Sequence, residues 1–289
     1  MGKKRKRKKR LNAKTADRHA LYQKSVQAPE FEVDFTTWFY KRRVGRKPLS
    51  LREDFCGTAL LCTKWVQSDK RRTALGVDIE RSVLDWGRDN LLPELDPDEA
   101  GRLTLVEGDV RDVHPDRHDV IVALNYSYFC FKTRDLVRGY FEKVRGHLTD
   151  DGLFFLDLFG GWESQQELVE KRKVGSFQYI WEQASFNPIT ADFLAHIHFK
   201  FGNGSKMKRA FTYDWRLWTL PELRELLAEA GFTHVEVLWE GEDEEGDGTG
   251  EFHPQTRVTN DPGFNAYLVA SVGVPPRLAA KRKKLTSTG

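Results

Sequence analysis

Acidic residues recur at the ends of short apolar runs in the first half of this chain. Leu51 to Ala59 reads LREDFCGTA: Glu53 and Asp54 close a strand, and Phe55-Cys56-Gly57-Thr58 forms a tight turn. Asp78 ends the run Ala74-Leu75-Gly76-Val77-Asp78, 21 residues after Gly57. Asp109 and Val110 follow the run Leu103 to Glu107, and Asn125-Tyr126-Ser127-Tyr128 follows Asp119 to Leu124. Polar or small residues behind four successive strands imply a ligand at the carboxyl end of a parallel sheet. A glycine in the first turn lets a bound molecule approach a backbone that has no Cβ. The Gly57-to-Asp78 spacing suits an acid that accepts hydrogen bonds from ribose hydroxyls in a nucleotide-type fold.

The elements that must position these residues follow from periodicity. Ala59, Leu60, Leu61, Trp65 and Val66 are the apolar positions of a helix after the first turn. Glu80 to Asn90, with Val83, Leu84 and Trp86, reads as a second helix. Asp135 to Leu148 reads as a third, with Leu136, Tyr140, Phe141, Val144 and Leu148 inward. Asp150-Asp151-Gly152 then reads as a turn, and Leu153 to Leu158 as a buried strand. Strands alternating with helices from Leu49 to Leu158 predict a parallel α/β sheet with helices on both faces.

These residues carry a resemblance to the class I S-adenosylmethionine-dependent methyltransferases, over roughly Leu49 to Gly161 and more loosely to Val272. The family's first loop reads Asp/Glu-x-Gly-x-Gly-x-Gly. Glu53 matches its acid, Gly57 its middle glycine and Ala59, as a near miss, its last; Phe55 departs from the first glycine. The resemblance implies a seven-stranded, mostly parallel Rossmann-like sheet and S-adenosyl-L-methionine as methyl donor. It implies that Glu53 balances the methionine ammonium, that Asp78 holds the ribose, and that Asp109 and Val110 meet the adenine. Phe55, Gly57, Ile79 and Asn125 complete the expected cofactor contacts. Asn125, Tyr126, Ser127 and Tyr128 form the expected acceptor-facing loop, with Asn125 and Tyr126 as the catalytic candidates. The reaction implied is displacement at a methyl carbon bearing a sulfonium leaving group, for which the protein supplies alignment and a dry pocket.

Before the first strand, Thr15 is placed to cap a helix running to about Gln27, and Pro29 opens another with Phe31, Phe35, Trp38 and Phe39 at helical spacing. In the resembled family such helices close over the cofactor, which would bring in Tyr22 and Gln23. After Gly160-Gly161 the texture changes. A short helix, Glu163 to Glu170, precedes a strand, Phe177 to Gln183. Phe193, Ala195, Ile197, Phe199 and Phe201 then alternate with polar residues up to Gly202-Asn203-Gly204, and Lys206 to Trp215 returns. This predicts an antiparallel β insertion after the fifth strand, covering the site. Thr219 caps a late helix ending before Gly231, and His234 to Trp239 and Phe264 to Val272 read as the last two strands. The acidic, glycine-rich stretch Gly241 to Gly250 between them is expected to be a loop. The divisions expected are a basic tail 1–14, a helical cap 15–48, a cofactor-binding core 49–161, an insertion 162–218, the rest of the core 219–273 and a second basic tail 274–289.

Composition sets the remaining bounds. The chain has 289 residues, 39% of them hydrophobic and 12% aromatic, enough for a large core. No stretch approaches the roughly 20 apolar residues that cross a membrane, and no apolar run follows the N-terminal basic residues. Cys56, Cys62 and Cys130 make no zinc or disulfide pattern, which predicts a reduced, cytoplasmic protein. Residues 3 to 10 are eight consecutive Lys or Arg, and residues 281 to 284 are four more; without them 34 basic face 43 acidic side chains, a net of −9. The body is therefore acidic, and the tails suit contact with the phosphates of RNA or a ribosome, or act as solvated ends.

Weaker candidates are the pair His196 and His198, on one face of a strand and without a visible third metal ligand; Arg216 and Trp218, ahead of the late helix; Trp86, beside the adenine or in packing; and Cys130, read as a buried thiol. No metal is expected. Two other functions share the frame. A nicotinamide-linked oxidoreductase needs further glycines that rest a pyrophosphate on the first helix, where this chain has Ala59 and Leu61. A catalytically silent binding protein would use the tails on nucleic acid. The favoured reading is an S-adenosylmethionine-dependent methyltransferase whose acceptor is a small molecule, ahead of RNA or protein.

Overall fold

The computed structural model describes residues 11–112, 116–242 and 248–273. The basic runs at 3–10 and 281–284 lie outside the described residues. Two helices come first, α1 (Arg18–Val26) and α2 (Pro29–Val44). The alternating core follows as β1 (Ser50–Asp54), α3 (Leu60–Ser68), β2 (Thr73–Asp78), α4 (Arg81–Asn90), α5 (Pro97–Gly101), β3 (Leu103–Glu107), β4 (His118–Ala123), α6 (Arg134–Gly146) and β5 (Leu148–Gly160). Four antiparallel strands interrupt it: β6 (Leu168–Val174), β7 (Phe177–Phe186), β8 (Asp192–Phe201) and β9 (Lys206–Arg216). The chain then returns as α7 (Leu220–Glu229), β10 (His234–Glu242), β11 (Gly248–Pro254) and β12 (Phe264–Ser271).

The main sheet has the order β11-β10-β12-β5-β4-β1-β2-β3. β1 pairs in parallel with β2 and β4, β2 with β3, and β4 with β5. β12 is antiparallel to both β5 and β10. Period-two alternation splits the parallel strands between two cores. Ile121, Phe154 and Leu156 pack with Tyr140, Phe141, Leu223 and Leu227 of α6 and α7. Val120, Val122 and Phe155 pack on the other face with Phe35 and Phe39 of α2 and Trp65 of α3. Every residue of β4 is buried, as a central strand covered by helices on both faces requires.

The mostly parallel sheet with helices on both faces and an antiparallel insertion after the fifth strand is as expected, but the sheet has eight strands rather than seven. The extra strand, β11, occupies part of the stretch expected as a loop. Residues 243–247 lie outside the described residues, but their flanks pair as β10 and β11. The sequence obscured this because the strand is held by one aromatic residue: the Phe252 ring sits 4.8 Å from that of Tyr267 and 5.8 Å from Phe35. The insertion also gains a strand. Only Trp162–Gln165 forms a helical turn, and Leu168 to Glu170, expected as the end of a helix, open the edge strand β6 (Leu168–Val174). Its alternation is masked because almost the whole strand faces solvent.

Smaller corrections have local causes. α1 is capped by Asp17, whose carboxylate accepts from the His19 and Ala20 amides, and not by Thr15. Trp38 lies outside the buried stripe of α2, with the Arg42 guanidinium over its ring. In α6 Val137 faces the core where Leu136 was expected. Asp150-Asp151-Gly152 lies within β5. Cys130 is exposed, not buried.

The insertion sheet does not stand alone. Leu21 of α1 packs with Phe177, Ile197, Phe199, Phe201 and Ala210 of that sheet. The Ala13 amide donates to the Ser205 hydroxyl, and the Arg172 guanidinium donates to the Ser25 carbonyl. The segment through α1 and the insertion thus pack on one another, and α1 also reaches the turn after β1 through Gln23 and Thr58.

Candidate active site

The carboxyl ends of β1, β2 and β3 lie side by side, because these strands pair in register: Asp54 with Val77, and Asp78 with Glu107. Three of the expected acids are therefore carried on adjacent strand ends. Glu53 is buried and accepts the Cys62 amide at the start of α3. Asp78 accepts the Gly57 amide over 2.8 Å and the Glu80 amide over 2.9 Å. Asp109 is paired with Arg111, whose guanidinium holds its carboxyl below the usual carboxylate range.

The first turn takes an unusual backbone course. Phe55, Gly57 and Ala59 all have left-handed φ values, 58°, 55° and 62°. Gly57 adopts this conformation at little cost, whereas Phe55 and Ala59 need the tertiary structure to hold them. Two contacts do so. The Phe55 ring packs 5.8 Å from both Phe131 and Tyr140. A Cβ at Gly87 of α4 would meet the Thr58 carbonyl oxygen at 2.4 Å, so α4 approaches the turn as only glycine allows. Beneath the turn lies a buried network that the sequence did not single out. Arg52, with no exposed surface, donates to the Asp54 carboxylate and to the Val110 carbonyl, and Tyr140 donates to the second Asp54 oxygen. The Val110 side chain points into the core, and its carbonyl is pinned. Ile79 is 72% exposed at the end of β2.

Asn125 and Tyr126, behind β4, also have left-handed φ values, 57° and 59°. Both amides donate to the Asp157 carboxylate of β5, over 2.8 and 2.9 Å. Asp157 was not singled out in the sequence; its signal is a lone carboxylate inside the apolar run Leu153 to Phe159. The Tyr126 hydroxyl donates to Asn265 over 2.5 Å. Burial and the charge of Asp157 push the Tyr126 phenol well above its ordinary range, so it stays protonated at neutral pH.

Asn125 and Tyr126 also line a cavity of about 840 Å³. Its other walls include the rings of Tyr22 of α1, Phe159 of β5, Trp181, Tyr213 and Trp215 of the insertion, and Trp239 and Phe264 of the last strands, with charged Glu163, Glu170, Lys171, Arg172, Glu240 and Asp261 also in the lining. The Tyr126 ring lies 4.8 Å from that of Phe159, and Tyr213 stacks on Trp215 at 4.3 Å. Glu53, Phe55, Gly57, Asp78, Ile79, Asp109 and Val110 do not line this cavity. The structure therefore offers two adjoining regions: acid-bearing strand ends on one side and an aromatic chamber on the other, with Asn125 and Tyr126 at the chamber wall. α1 reaches both. Tyr22 lines the chamber, Gln23 donates to the Thr58 hydroxyl, and Asp17 accepts the Trp86 indole N–H over 2.7 Å.

Three buried or half-buried carboxyls have no paired cation among the described residues. Burial, with nearby carboxylates, pushes Glu53 up to about 7 and Glu32 of α2 up to about 8; burial pushes Asp157 up to about 7. A cationic ligand would relieve this, and a pyrophosphate would worsen it.

The weaker candidates take structural places. His196 bonds to Thr212 and His198 to Glu182, and among the described residues no three His, Cys, Asp or Glu side chains are grouped to hold a metal. Arg216 pairs with Glu222 and stacks on Trp218 instead of reaching the chamber. Among the described residues no helix is long and apolar enough to cross a membrane.

No protein-family model matches the chain, and no curated protein matches it. Solved structures do. A methyltransferase dependent on S-adenosylmethionine from Clostridium acetobutylicum superposes with a TM-score of 0.66 at 15% identity, over 88% of this chain and 97% of its own. The amino pentose methyltransferase CalS10 of Micromonospora echinaspora, solved with S-adenosylmethionine bound, gives 0.61 at 12% identity, over 87% and 95%. The sugar N-methyltransferase KedS8 of Streptoalloteichus gives 0.55 at 13%, over 94% and 97%. The chain has the fold of the class I S-adenosylmethionine-dependent methyltransferases.

Proposed function

We propose that the protein is an S-adenosylmethionine-dependent methyltransferase whose acceptor is a small molecule held in the aromatic chamber. The observation that carries this reading is the buried Glu53 carboxyl at the end of β1, which no Lys, Arg or His pairs with among the described residues, together with a chamber lined in large part by aromatic rings. A ligand with a sulfonium and an ammonium group fits the first region; a nicotinamide dinucleotide, with its anionic bridge, does not. The acceptors named for two of the superposed structures, an amino pentose and a sugar, are small molecules.

When bound, S-adenosylmethionine supplies a methyl group on an electron-poor sulfur. The chain's own residues then do the rest. Glu53 would hold the methionine ammonium, Asp78 the ribose hydroxyls, and Ile79 and the Asp109–Val110 segment the adenine. Phe55 and Gly57 shape the turn against the methionine. Asn125, held by Asp157, would sit between cofactor and acceptor, and protonated Tyr126 would orient the acceptor without acting as a base. On this reading residues 15–48 are the cap, 162–218 the acceptor-side lid, and 49–161 with 219–273 the cofactor-binding core.

Calorimetry with S-adenosylmethionine tests the reading. Saturable binding that falls about tenfold or more in Asp78→Ala, with the variant still folded, is expected from loss of charge-assisted hydrogen bonds. A folded wild-type chain that does not bind overturns it.

A further inference from the structure

Arg52 sits in the middle of β1, and its neighbours across the sheet are Leu75 of β2 and Ile121 of β4. Both pack on the core beneath α6, with Val110, Tyr140 and Val144. An apolar side chain would fill this place, and replacing a buried ion pair by apolar residues of similar volume is often neutral or stabilising. Stability alone therefore does not call for an arginine here.

What an arginine adds is a rigid fork of donors, and this one reaches three segments at once. Nε donates to the Asp54 carboxylate at the end of β1, over 2.7 Å. Nη2 donates to the Val110 carbonyl behind β3, and Nη1 to Nδ1 of His147 at the C-terminus of α6, each over 2.7 Å. α6 returns a bond of its own, since the Tyr140 hydroxyl donates to the second Asp54 oxygen over 2.8 Å. The Arg52 side chain has no exposed surface, so water does not compete for its donors.

The segment behind β3 has few other anchors. The Gly108 amide donates to the Asp78 carbonyl over 3.0 Å, which ties the segment to β2. Beyond it, Asp109 accepts from the Arg111 amide and guanidinium and from the Asp112 amide, all within the segment. The Val110 carbonyl is its tie to β1. The Val110 N–H has no acceptor among the described residues.

We infer that Arg52 is a positioning residue for the adenine subsite: it touches no ligand, but by fixing the Val110 carbonyl it holds the Val110 N–H where the base is read. This rests on the methyltransferase reading, in which the Asp109–Val110 segment meets the adenine. N1 of adenine accepts from such an N–H, whereas N1 of hypoxanthine carries a hydrogen and does not. A site built around a fixed donor rejects the analogue that leaves that donor unpaired.

Calorimetry with S-adenosylhomocysteine and S-inosylhomocysteine, on wild type and Arg52→Lys, tests this. Wild type should favour the adenosyl ligand about tenfold or more. The lysine keeps a cation for Asp54 but has no fork to reach Val110 and His147 as well. Arg52→Lys should therefore weaken S-adenosylhomocysteine about tenfold and S-inosylhomocysteine hardly at all, so that the preference shrinks to about threefold or less. A wild type without a preference, or a preference undiminished in Arg52→Lys, overturns the assignment and leaves the methyltransferase reading intact. Should folded wild type bind neither these ligands nor S-adenosylmethionine, that reading fails and the assignment with it. Should Arg52→Lys not fold, His147→Ala decides by the same ratio, because it releases one arm of the guanidinium at the half-buried end of the network. A narrowed preference there supports the assignment, and an unchanged one overturns it.

Discussion

Gln23 donates its side-chain amide to the Thr58 hydroxyl across 2.8 Å, so the N-terminal cap is tied to the turn that follows β1. This is one partly buried neutral hydrogen bond, of the kind worth about 1 kcal/mol net. Its loss should register where the cap matters. Gln23→Ala is expected to weaken S-adenosylmethionine binding about fivefold and to leave the thermal midpoint nearly unchanged. Titration beside a melting curve checks this; a large loss of stability with unchanged affinity would show the contact to be purely architectural.

Asp157 serves a different part of the site. Its carboxylate receives two amides from residues in left-handed conformations, and an amide side chain offers only one acceptor oxygen. Asp157→Asn should therefore leave one of the two N–H groups unmatched and loosen the Asn125–Tyr126 turn. Turnover should drop about tenfold or more, as expected for misplaced reacting groups, while cofactor affinity changes by about threefold or less. Separate measurement of binding and turnover distinguishes the two effects.

The buried Arg52–Asp54 pair makes a stability prediction. Arg52→Met leaves the Asp54 carboxylate without its cation, though Tyr140 still donates to it. Breaking one side of a buried pair costs about 3–5 kcal/mol. Replacing both, as Arg52→Met with Asp54→Leu, should recover part of that loss. Denaturant unfolding of the single and double variants tests this, and equal destabilisation by both would show that the burial of Asp54 is not the cause.

The raised carboxyls predict a pH dependence of the ligand-free protein. A carboxyl whose folded pKa lies above its unfolded one binds more protons when folded, so stability falls as pH rises between the two values. For Glu53 and Asp157 that window closes at about 7, and for Glu32 at about 8. His118 acts in the opposite sense, because burial lowers it from 6.5 to about 4, but that effect is complete above pH 6.5. Between pH 6.5 and 8 the carboxyls act alone among these groups. The thermal midpoint should fall by a few degrees across this range, and most of the fall should vanish in Glu32→Gln.

The parallel core was legible because its signals are local. Gly57, Asp78 and Asp109 stand at strand ends that periodicity alone delimits, and Thr219 and Gly231 bracket α7 as capping chemistry dictates. What escaped depends on partners far along the chain. β11 has few apolar residues of its own and is held through Phe252 against Tyr267 and Phe35. β6 is paired on one edge only and faces solvent, so nothing in its side chains demands alternation. Glu32 follows Pro29 as one of two acids in the first turn of α2, and only its burial in the structure sets it apart.

The packing of α1 on the insertion has a consequence for biosynthesis. The Ala13–Ser205 contact joins residues 192 positions apart, and Leu21 rests on strands that are translated long after it. The first helix therefore waits, exposed, while most of the protein is made, and closing so large a loop comes late and costs entropy. The lid over the chamber cannot close until β9 is made, and a chain arrested before residue 200 would lack both that roof and the closing elements α7 and β10 to β12.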